Sequence, residues 1–311
     1  MPYAFDDFRP LLRKLKTAAD PLYAERRYLC ALVAALAYRH VPSAEIDDAR
    51  RALVIPCAEF RRIVATGMPA TISAEELAAA LDGAVVFAVE ERGVVAVGLL
   101  VEEMLFIGFR GTRYLYDWKV NLRATMDDGF GGRIHRGFLE ETLRVIPPLV
   151  RKIAAVARDG DGPPDFESVY VSGHSLGGAV AAIATRFMPL AVDFLCTFGA
   201  PRYGDAWSQF ETWVRMGRGV SSQMENVQGD GDAVPSVPPR WMGYADNGHD
   251  VTTAGRRVGL RRHSSTWLYA AGQVGRFFAS LAAPHSMERY RKETGSYVEA
   301  PNSAQPLIRG I

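Results

Sequence analysis

The sequence predicts an α/β fold, with a mostly parallel central sheet flanked by helices. From residue 167 onward, short strands alternate with helical segments, the order expected when helices connect parallel strands. The strand predicted at 193–198 is largely apolar, as expected for a strand buried on both faces. With 311 residues, 48% of them hydrophobic, the chain can bury a substantial core. We expect one domain over 1–311, with 1–80 as a helical N-terminal portion packed on it.

The segments before residue 167 predict a helical portion, a β-meander and one long helix. Apolar residues recur at helical spacing over 11–39, and the S-A-E-E segment at 73–76 is typical of a helix start. The β-rich runs that follow are separated by charged turns and lie at 84–89, 93–101 and 104–109. An amphipathic helix is then predicted over 139–156, broken or kinked near Pro147 and Pro148.

The remaining elements continue the alternation of strand and helix. Strands are predicted at 169–171, 193–198 and 223–228, and helices at 179–184, 210–216, 264–281 and 286–294. The stretch 241–262 is irregular, with a weak hairpin signal. Segment 114–122 carries apolar residues at helical spacing, which fits either a short helix over a cleft or ordinary surface structure.

One turn organises these elements. The motif G-x-S-x-G at 173–177 places Ser175 between a predicted strand and a helix of small residues, which is the setting of a nucleophile elbow. The glycines on either side let the strand and the helix approach closely, and they leave the serine hydroxyl at the tip of the turn. Ser175 is therefore a candidate nucleophile on an α/β-hydrolase fold. The alternative is a glycine-rich turn with an inert serine.

A serine hydroxyl is a weak nucleophile at neutral pH, so Ser175 needs a general base, normally an imidazole oriented by a carboxylate. On an α/β-hydrolase fold the order is serine, acid, histidine, which leaves three candidates for the base, His249, His263 and His285. His285 fits best, because it lies past the last predicted strand and directly before the last predicted helix. His174 flanks the nucleophile and is expected to point elsewhere.

Four aspartates are candidates for the acid. Asp193 precedes its strand, and Asp205 lies in a loop that would line the cleft rather than reach the base. Asp230 and Asp232 follow the strand beyond the elbow, where the acid is expected. The chemistry of these residues leaves the choice between the two open.

Six short motifs occur along the chain in a fixed order. They are F-R-G-T at 109–112, H-R-G-F at 135–138, G-H-S-L-G-G at 173–178, T-F-G-A-P-R at 197–202, D-A-V-P at 232–235 and H-S-M at 285–287 with Tyr290. Together they resemble the class 3 (fungal-type) lipase family of α/β-hydrolases. The resemblance extends over about residues 87–290 and is far more specific than the elbow alone.

The resemblance implies a catalytic triad. Ser175 would be the nucleophile, Asp232 the orienting acid, and His285 the base and then the acid. The D-A-V-P segment favours Asp232 over Asp230. No metal and no cofactor take part in this scheme.

The resemblance also implies an oxyanion hole, formed by the backbone N–H groups of Thr112 and Leu176 with the Thr112 hydroxyl as a third donor. Two features depart from the family. Asn121 stands where the family often has an aspartate, and the disulfides and signal peptides of its secreted fungal members are absent. The departures bear on lid behaviour and on an extracellular role.

Composition limits the partners and the location. A net charge of +1 gives no indication of nucleic acid as a partner. The widely spaced Cys30, Cys57 and Cys196 argue against a disulfide framework. We see neither a secretory signal nor an apolar run long enough for a transmembrane segment, so the default location is the cytoplasm, with signal-independent export left open. The oligomeric state is not specified by the sequence.

These observations predict a serine carboxylic-ester hydrolase that forms an acyl-enzyme on lipid-like esters, at a lipid–water interface where the substrate is aggregated. The chain length of the acyl group and the head group stay open. One alternative is an acyltransferase or a phospholipase on the same fold. A second, of a different class, is a non-catalytic lipid-binding protein.

Overall fold

A seven-stranded sheet forms the centre of the fold. The computed structural model describes residues 11–12, 14–15, 23–38, 85–91, 94–101, 103–111, 125–129, 131–156, 166–216, 223–258 and 285–299. In chain order the strands are β1 (Val85–Glu91), β2 (Val94–Val101), β3 (Met104–Phe109), β4 (Met126–Asp128), β5 (Arg133–His135), β6 (Ser168–His174), β7 (Phe194–Phe198), β8 (Gln223–Gln228) and β9 (Asp250–Thr252).

The strand order in the main sheet is β1-β2-β3-β6-β7-β8-β9. The meander β1 to β3 is antiparallel, and every pairing from β3 to β9 is parallel. β4 and β5 form a separate antiparallel ribbon. The carboxyl ends of β3, β6, β7 and β8 therefore lie at one edge of the sheet, where ligand sites of open α/β sheets form.

Helices cover both faces of this sheet. They are α1 (Tyr23–Ala37), α2 (Arg136–Val156), α3 (Leu176–Ala184), α4 (Ala206–Arg215) and α5 (Met287–Glu299). α1 and α5 pack together in the core on one face, whereas α2 and α3 share the core on the other. Strand side chains alternate between the two cores, so that Phe106 lies on the α1 side and Ile107 on the α2 side.

α1 packs directly against the middle of the sheet. A Cβ on Gly108 of β3 would lie 2.5 Å from the carbonyl oxygen of Val33, so only glycine allows this approach. A buried ion pair fixes the same helix further along the sheet: Arg27 Nε lies 2.7 Å from one carboxylate oxygen of Glu225 on β8, and Arg27 Nη2 lies 3.0 Å from the other.

The structure confirms the α/β fold and the predicted strands of the meander and of the parallel sheet. The predicted hairpin signal corresponds to β9 and the turn after it, where Thr252 N–H donates to the Arg256 carbonyl at 2.8 Å. α4 begins at Ala206, before the predicted start at 210, because the Asp205 carboxylate accepts the Ser208 N–H at 2.8 Å and caps the helix.

The long helix is predicted to be broken or kinked near Pro147 and Pro148; the break is wrong, and the kink stays a prediction. α2 runs without interruption through Pro147 and Pro148. Its apolar stripe continues on both sides of the prolines, with Val145, Ile146 and Leu149 buried against α3 and the sheet. Packing of this stripe outweighs the backbone hydrogen bonds that the two prolines cannot donate.

Several sequence predictions fall outside the described residues. They are the segments at 40–83 and 114–122, the helix at 264–281, and individual positions including Thr112, Asn121 and His263. The assignment of the whole chain to one domain stays a prediction.

Candidate active site

The candidate nucleophile lies at the carboxyl end of the central strand β6. Ser175 joins β6 directly to α3, with φ 58° and ψ −130°, a conformation that a residue with a side chain rarely adopts. Its N–H donates to the Phe198 carbonyl at 3.0 Å, and its carbonyl accepts from Gly178 N–H at 2.9 Å. The strained turn is thus held from both sides and presents its side chain at the sheet edge.

The glycines of the motif have the role that the sequence predicts. A Cβ on Gly173 would lie 2.2 Å from the Gly177 carbonyl oxygen, within the same turn. A Cβ on Gly177 would lie 2.4 Å from the carbonyl oxygen of Phe109, at the end of β3. Any larger residue would push the strand, the helix and the end of β3 apart.

Asp232 is a fully buried carboxylate with three hydrogen-bond donors. Its Oδ2 lies 2.8 Å from Nδ1 of His285 and accepts the Tyr290 hydroxyl at 2.5 Å. Its Oδ1 accepts the N–H of Val234 at 2.9 Å. These donors replace the water that the carboxylate loses on burial, and they fix its orientation toward the imidazole.

Tyr290 belongs to the last sequence motif, which assigns it no role, and in the structure its hydroxyl contacts Asp232. Its hydroxyl accepts from Gly229 N–H at 2.8 Å while it donates to Asp232. Burial, reinforced by the charge of Asp232, raises the pKa of Tyr290 well above its ordinary value. The hydroxyl therefore stays protonated and keeps its donor for the carboxylate.

His285 has the hydrogen-bonding pattern of a general base. Its ring is buried, and the contact of Nδ1 with a carboxylate requires the proton to be on Nδ1, which leaves the lone pair on Nε2 in the neutral ring. Nε2 has no hydrogen-bond partner among the residues described. No hydrogen bond joins it to the Ser175 hydroxyl here, a contact that often forms only when substrate is bound.

The end of β7 contacts both the candidate nucleophile and the pair formed by Asp232 and His285. Gly199 has φ +56°, and a Cβ there would lie 2.6 Å from Asp232 Oδ2 and 3.0 Å from His285 Cε1. The preceding residue, Phe198, accepts the N–H of Ser175. Residues 175, 232 and 285, far apart in sequence, therefore meet at one edge of the sheet.

The expectation that His174 points away from the site is wrong. Its buried ring lies beside the His285 ring, with the two centroids 4.5 Å apart. Its Nε2 lies 2.7 Å from the His285 carbonyl oxygen. Burial and the neighbouring His285 lower the pKa of His174 well below 6.5, so this ring is neutral.

The two predicted oxyanion donors differ in what the structure shows. Leu176 is the first residue of α3, where backbone N–H groups are free of helical partners and favour negative charge. Thr112 lies outside the described residues. The residue before it, Gly111, abuts the nucleophile, because a Cβ on Gly111 would lie 2.8 Å from the Ser175 Cβ.

The other candidate acids and bases have different surroundings. Asp230 is exposed on the turn after β8, two residues from the buried Asp232. Asp193 accepts the Val169 N–H at 2.8 Å, and Asp205 caps α4, so both carboxylates bind backbone. His249 is exposed and directly precedes β9.

No group of three or more histidine, cysteine, aspartate or glutamate side chains capable of holding a metal ion occurs within the described ranges. In the same part of the chain, no helix is both long and apolar enough to cross a membrane.

Comparison with known proteins shows that the chain is similar to lipases. Residues 106–242 match the family model for lipase (class 3). The secreted mono- and diacylglycerol lipase 1 of Fusarium solani is 34% identical over 146 residues, covering 45% of this chain and 41% of the relative. A lipase of Rhizomucor miehei is 29% identical over 162 residues, covering 48% of this chain and 41% of the relative. The chain thus matches less than half the length of either protein.

A solved triacylglycerol lipase, whose catalytic centre is formed by a serine protease triad, shares the fold. It superposes with a TM-score of 0.51 at 20% identity, over 76% of this chain and 82% of that one. The motif resemblance and the α/β-hydrolase fold are therefore confirmed. The default cytoplasmic location is wrong by this comparison, because the Fusarium solani relative is a secreted protein.

Proposed function

We propose that this chain, a homologue of the class 3 lipases through residues 106–242, is a serine hydrolase that cleaves carboxylic esters of lipid-like substrates. The observation that carries the proposal is the buried contact of His285 Nδ1 with Asp232 Oδ2 at 2.8 Å, beside the strained turn of Ser175. An imidazole whose lone pair is on Nε2 can accept the proton that a serine hydroxyl loses as it attacks.

The proposed reaction has two stages. Ser175 Oγ attacks the ester carbonyl carbon while its proton passes to His285 Nε2, and the oxyanion is stabilised by the N–H groups of Thr112 and Leu176. Collapse breaks the bond to the alcohol, which leaves with the proton from Nε2, and an acyl-enzyme remains. Water then attacks the acyl carbon while its proton passes to Nε2; the bond between the acyl carbon and Ser175 Oγ breaks, Oγ takes that proton, and the carboxylic acid is released. Asp232 stabilises the imidazolium in both stages.

Acylglycerols are the substrate class we propose, acted on outside the cell at a lipid–water interface. The support is the similarity to a secreted mono- and diacylglycerol lipase and to a triacylglycerol lipase. A phospholipase would release fatty acid from phospholipid vesicles, and an acyltransferase would form a new ester when an alcohol is added. Product analysis with these two additions separates the three reactions.

The Ser175→Ala substitution tests the proposed reaction. We expect hydrolysis of p-nitrophenyl esters, measured over a range of acyl chain lengths, to fall by about 10⁴-fold or more, because no other described group at this edge replaces the hydroxyl. Ser172→Ala is the matched control, since this buried serine lies on the same strand and donates only a long 3.3 Å bond to the Ile107 carbonyl. Retained activity in Ser175→Ala would refute the mechanism. Absence of activity in the wild type would favour a non-catalytic lipid-binding protein.

A pair of aspartate variants tests the identity of the acid. In Asp232→Asn the amide would hold the imidazole in the wrong tautomer, and kcat is expected to fall by about 10⁴-fold. In Asp230→Asn an exposed carboxylate is lost, and kcat should stay near the wild-type value. Both variants are compared by kcat at equal folded concentration. The opposite ranking would reassign the acid to Asp230.

A further inference from the structure

A chain of hydrogen bonds links Tyr38 and His174, two residues that the proposed reaction does not use, to Gly111 at one end and His285 at the other. The Tyr38 hydroxyl, just beyond α1, lies 2.6 Å from His174 Nδ1 and accepts the N–H of Gly111 at 3.1 Å. At the other end, His174 Nε2 lies 2.7 Å from the His285 carbonyl oxygen. The rings of Tyr38 and His174 also meet edge to face, with their centroids 5.6 Å apart.

The donors and acceptors in this chain have only one consistent arrangement. A carbonyl oxygen accepts only, so His174 Nε2 must carry the proton in its contact with His285. The ring is neutral because burial lowers its pKa, so Nδ1 has a lone pair and accepts the Tyr38 hydroxyl. The same hydroxyl accepts the N–H of Gly111. The bonds therefore run from Gly111 through Tyr38 and His174 to the His285 carbonyl.

The two ends of this chain of hydrogen bonds lie at two groups of the proposed reaction, an oxyanion donor and the base. Gly111 directly precedes Thr112, whose N–H is the proposed oxyanion donor, and its own N–H is already bound by Tyr38. His285 supplies the base, and its backbone is what His174 holds. His174, in the middle of the chain of hydrogen bonds, lies on β6 next to Ser175. Both ends are therefore held relative to the strand that carries the nucleophile.

We propose that Tyr38 and His174 are positioning residues for ester hydrolysis, which hold the peptide before Thr112 and the backbone of His285 in register with Ser175. This inference rests on the proposed function. Both residues act through Gly111 and His285 rather than on the reacting atoms. A displacement of either end by a fraction of an ångström would reduce the stabilisation of the transition state more than the binding of the substrate.

Tyr38→Phe removes one hydroxyl and leaves the ring packing in place. We expect kcat per active site to fall roughly 10-fold to 100-fold on a soluble p-nitrophenyl ester, with KM changed by less than about twofold. Active sites are counted by titration with a p-nitrophenyl alkylphosphonate, which phosphonylates the nucleophile and releases p-nitrophenol. Tyr23→Phe, at the other end of α1, is the matched control, because its hydroxyl accepts from Gln223 at the surface, at 2.6 Å, away from the site. It should keep the wild-type kcat.

Two substitutions of His174 separate the halves of the chain. The amide of Asn can replace Nδ1 and keep the Tyr38 contact, whereas the longer Gln can replace Nε2 and keep the donor to the His285 carbonyl. Each should lower kcat, and adding Tyr38→Phe should reduce kcat by a larger factor in His174→Asn than in His174→Gln, where the contact of Tyr38 with residue 174 is already lost and only its bond to Gly111 remains. This coupling is the readout that an independent structural role would not produce.

The results that overturn the inference are distinct from those that overturn the proposed function. If the wild type lacks activity, or Ser175→Ala keeps it, the proposed function fails. If both behave as proposed and Tyr38→Phe keeps its kcat per titrated site, the positioning role is refuted. The same holds if only the titratable fraction falls, if KM rises at constant kcat, or if Tyr38→Phe has the same effect in both His174 backgrounds.

Discussion

At the residue scale, the site depends on which of two neighbouring carboxylates faces inward. Asp230 and Asp232 are separated by Gly231, whose φ of +74° turns the chain between them. The turn leaves Asp230 exposed and places Asp232 among three donors. Spacing alone cannot distinguish the two, because both follow the same strand, so only the D-A-V-P resemblance separated them in the sequence.

The same limit applies to the hydrogen bonds around the pair. His174 could be placed beside the nucleophile from the sequence, but its contact with the His285 carbonyl joins positions 111 residues apart, which local patterning does not show. Tyr38 lies in a stretch of small and aliphatic residues, where an aromatic ring predicts only burial. Its contact spans 136 positions, and local patterning carries no signal at that distance.

Neutral His174 predicts a dependence of stability on pH. Its pKa is lowered in the folded chain and returns to about 6.5 on unfolding, so below that pH the unfolded state binds a proton that the folded state does not. The contribution of the neutral His174 ring to the free energy of unfolding is fully present above pH 6.5. It is lost as the pH falls below that value, by up to about 1.4 kcal/mol per pH unit. Urea unfolding of wild type and His174→Gln from about pH 8 to about pH 5 measures the difference. Parallel curves for the two proteins would contradict a neutral His174.

At the element scale, the strands and helices were predictable because each carries its own periodicity, whereas the close approaches between them were not. The meander and the parallel strands lie where alternation and apolar runs indicated. The sequence predicts a break or kink in the long helix near Pro147 and Pro148, because a local pattern does not include the packing of its apolar stripe. The end of β7 is a further example, because Gly199 follows a strand whose sequence shows nothing of the acid behind it.

Gly199→Ala tests this close approach. The substitution adds backbone strain at φ +56° and places a methyl group 2.6 Å from Asp232 Oδ2, which must displace the acid. We expect activity to fall by roughly 100-fold while the side chains of the proposed triad are all present. Gly231→Ala is the matched control, because it has φ +74° with no atom within 4 Å of its Cβ. It should cost about 1 kcal/mol of stability and leave kcat unchanged. Equal activity loss in both variants would attribute the effect to strain alone.

At the scale of the whole molecule, α1 is joined to the far side of the sheet by Arg27 and Glu225. The arginine side chain is buried and binds both carboxylate oxygens. Burial acts to lower the pKa of Arg27, but the hydrogen bond and charge of Glu225 outweigh it and raise the pKa. Such a long-range pair has no sequence signature. The cellular location of the protein likewise cannot be predicted from the physics of its fold.

Arg27→Met is expected to lower the free energy of unfolding by about 3 kcal/mol, because Glu225, whose side chain is only 12% exposed, would be left without its partner. In the double variant Arg27→Met/Glu225→Leu both charges are gone, and much of that stability should return. Urea unfolding of the two single variants and the double variant measures the coupling. Additive losses would show that the two side chains contribute independently.

The packing of α5 against α1 also determines when the proposed activity can begin. A chain leaves the ribosome in sequence order, so Ser175 and Asp232 emerge well before His285 and Tyr290. Until α5 docks, the nascent polypeptide has Ser175 without the proposed base. The proposed chemistry therefore depends on the docking of α5, and a chain that has not yet folded this segment is expected to be inactive toward the lipids around it.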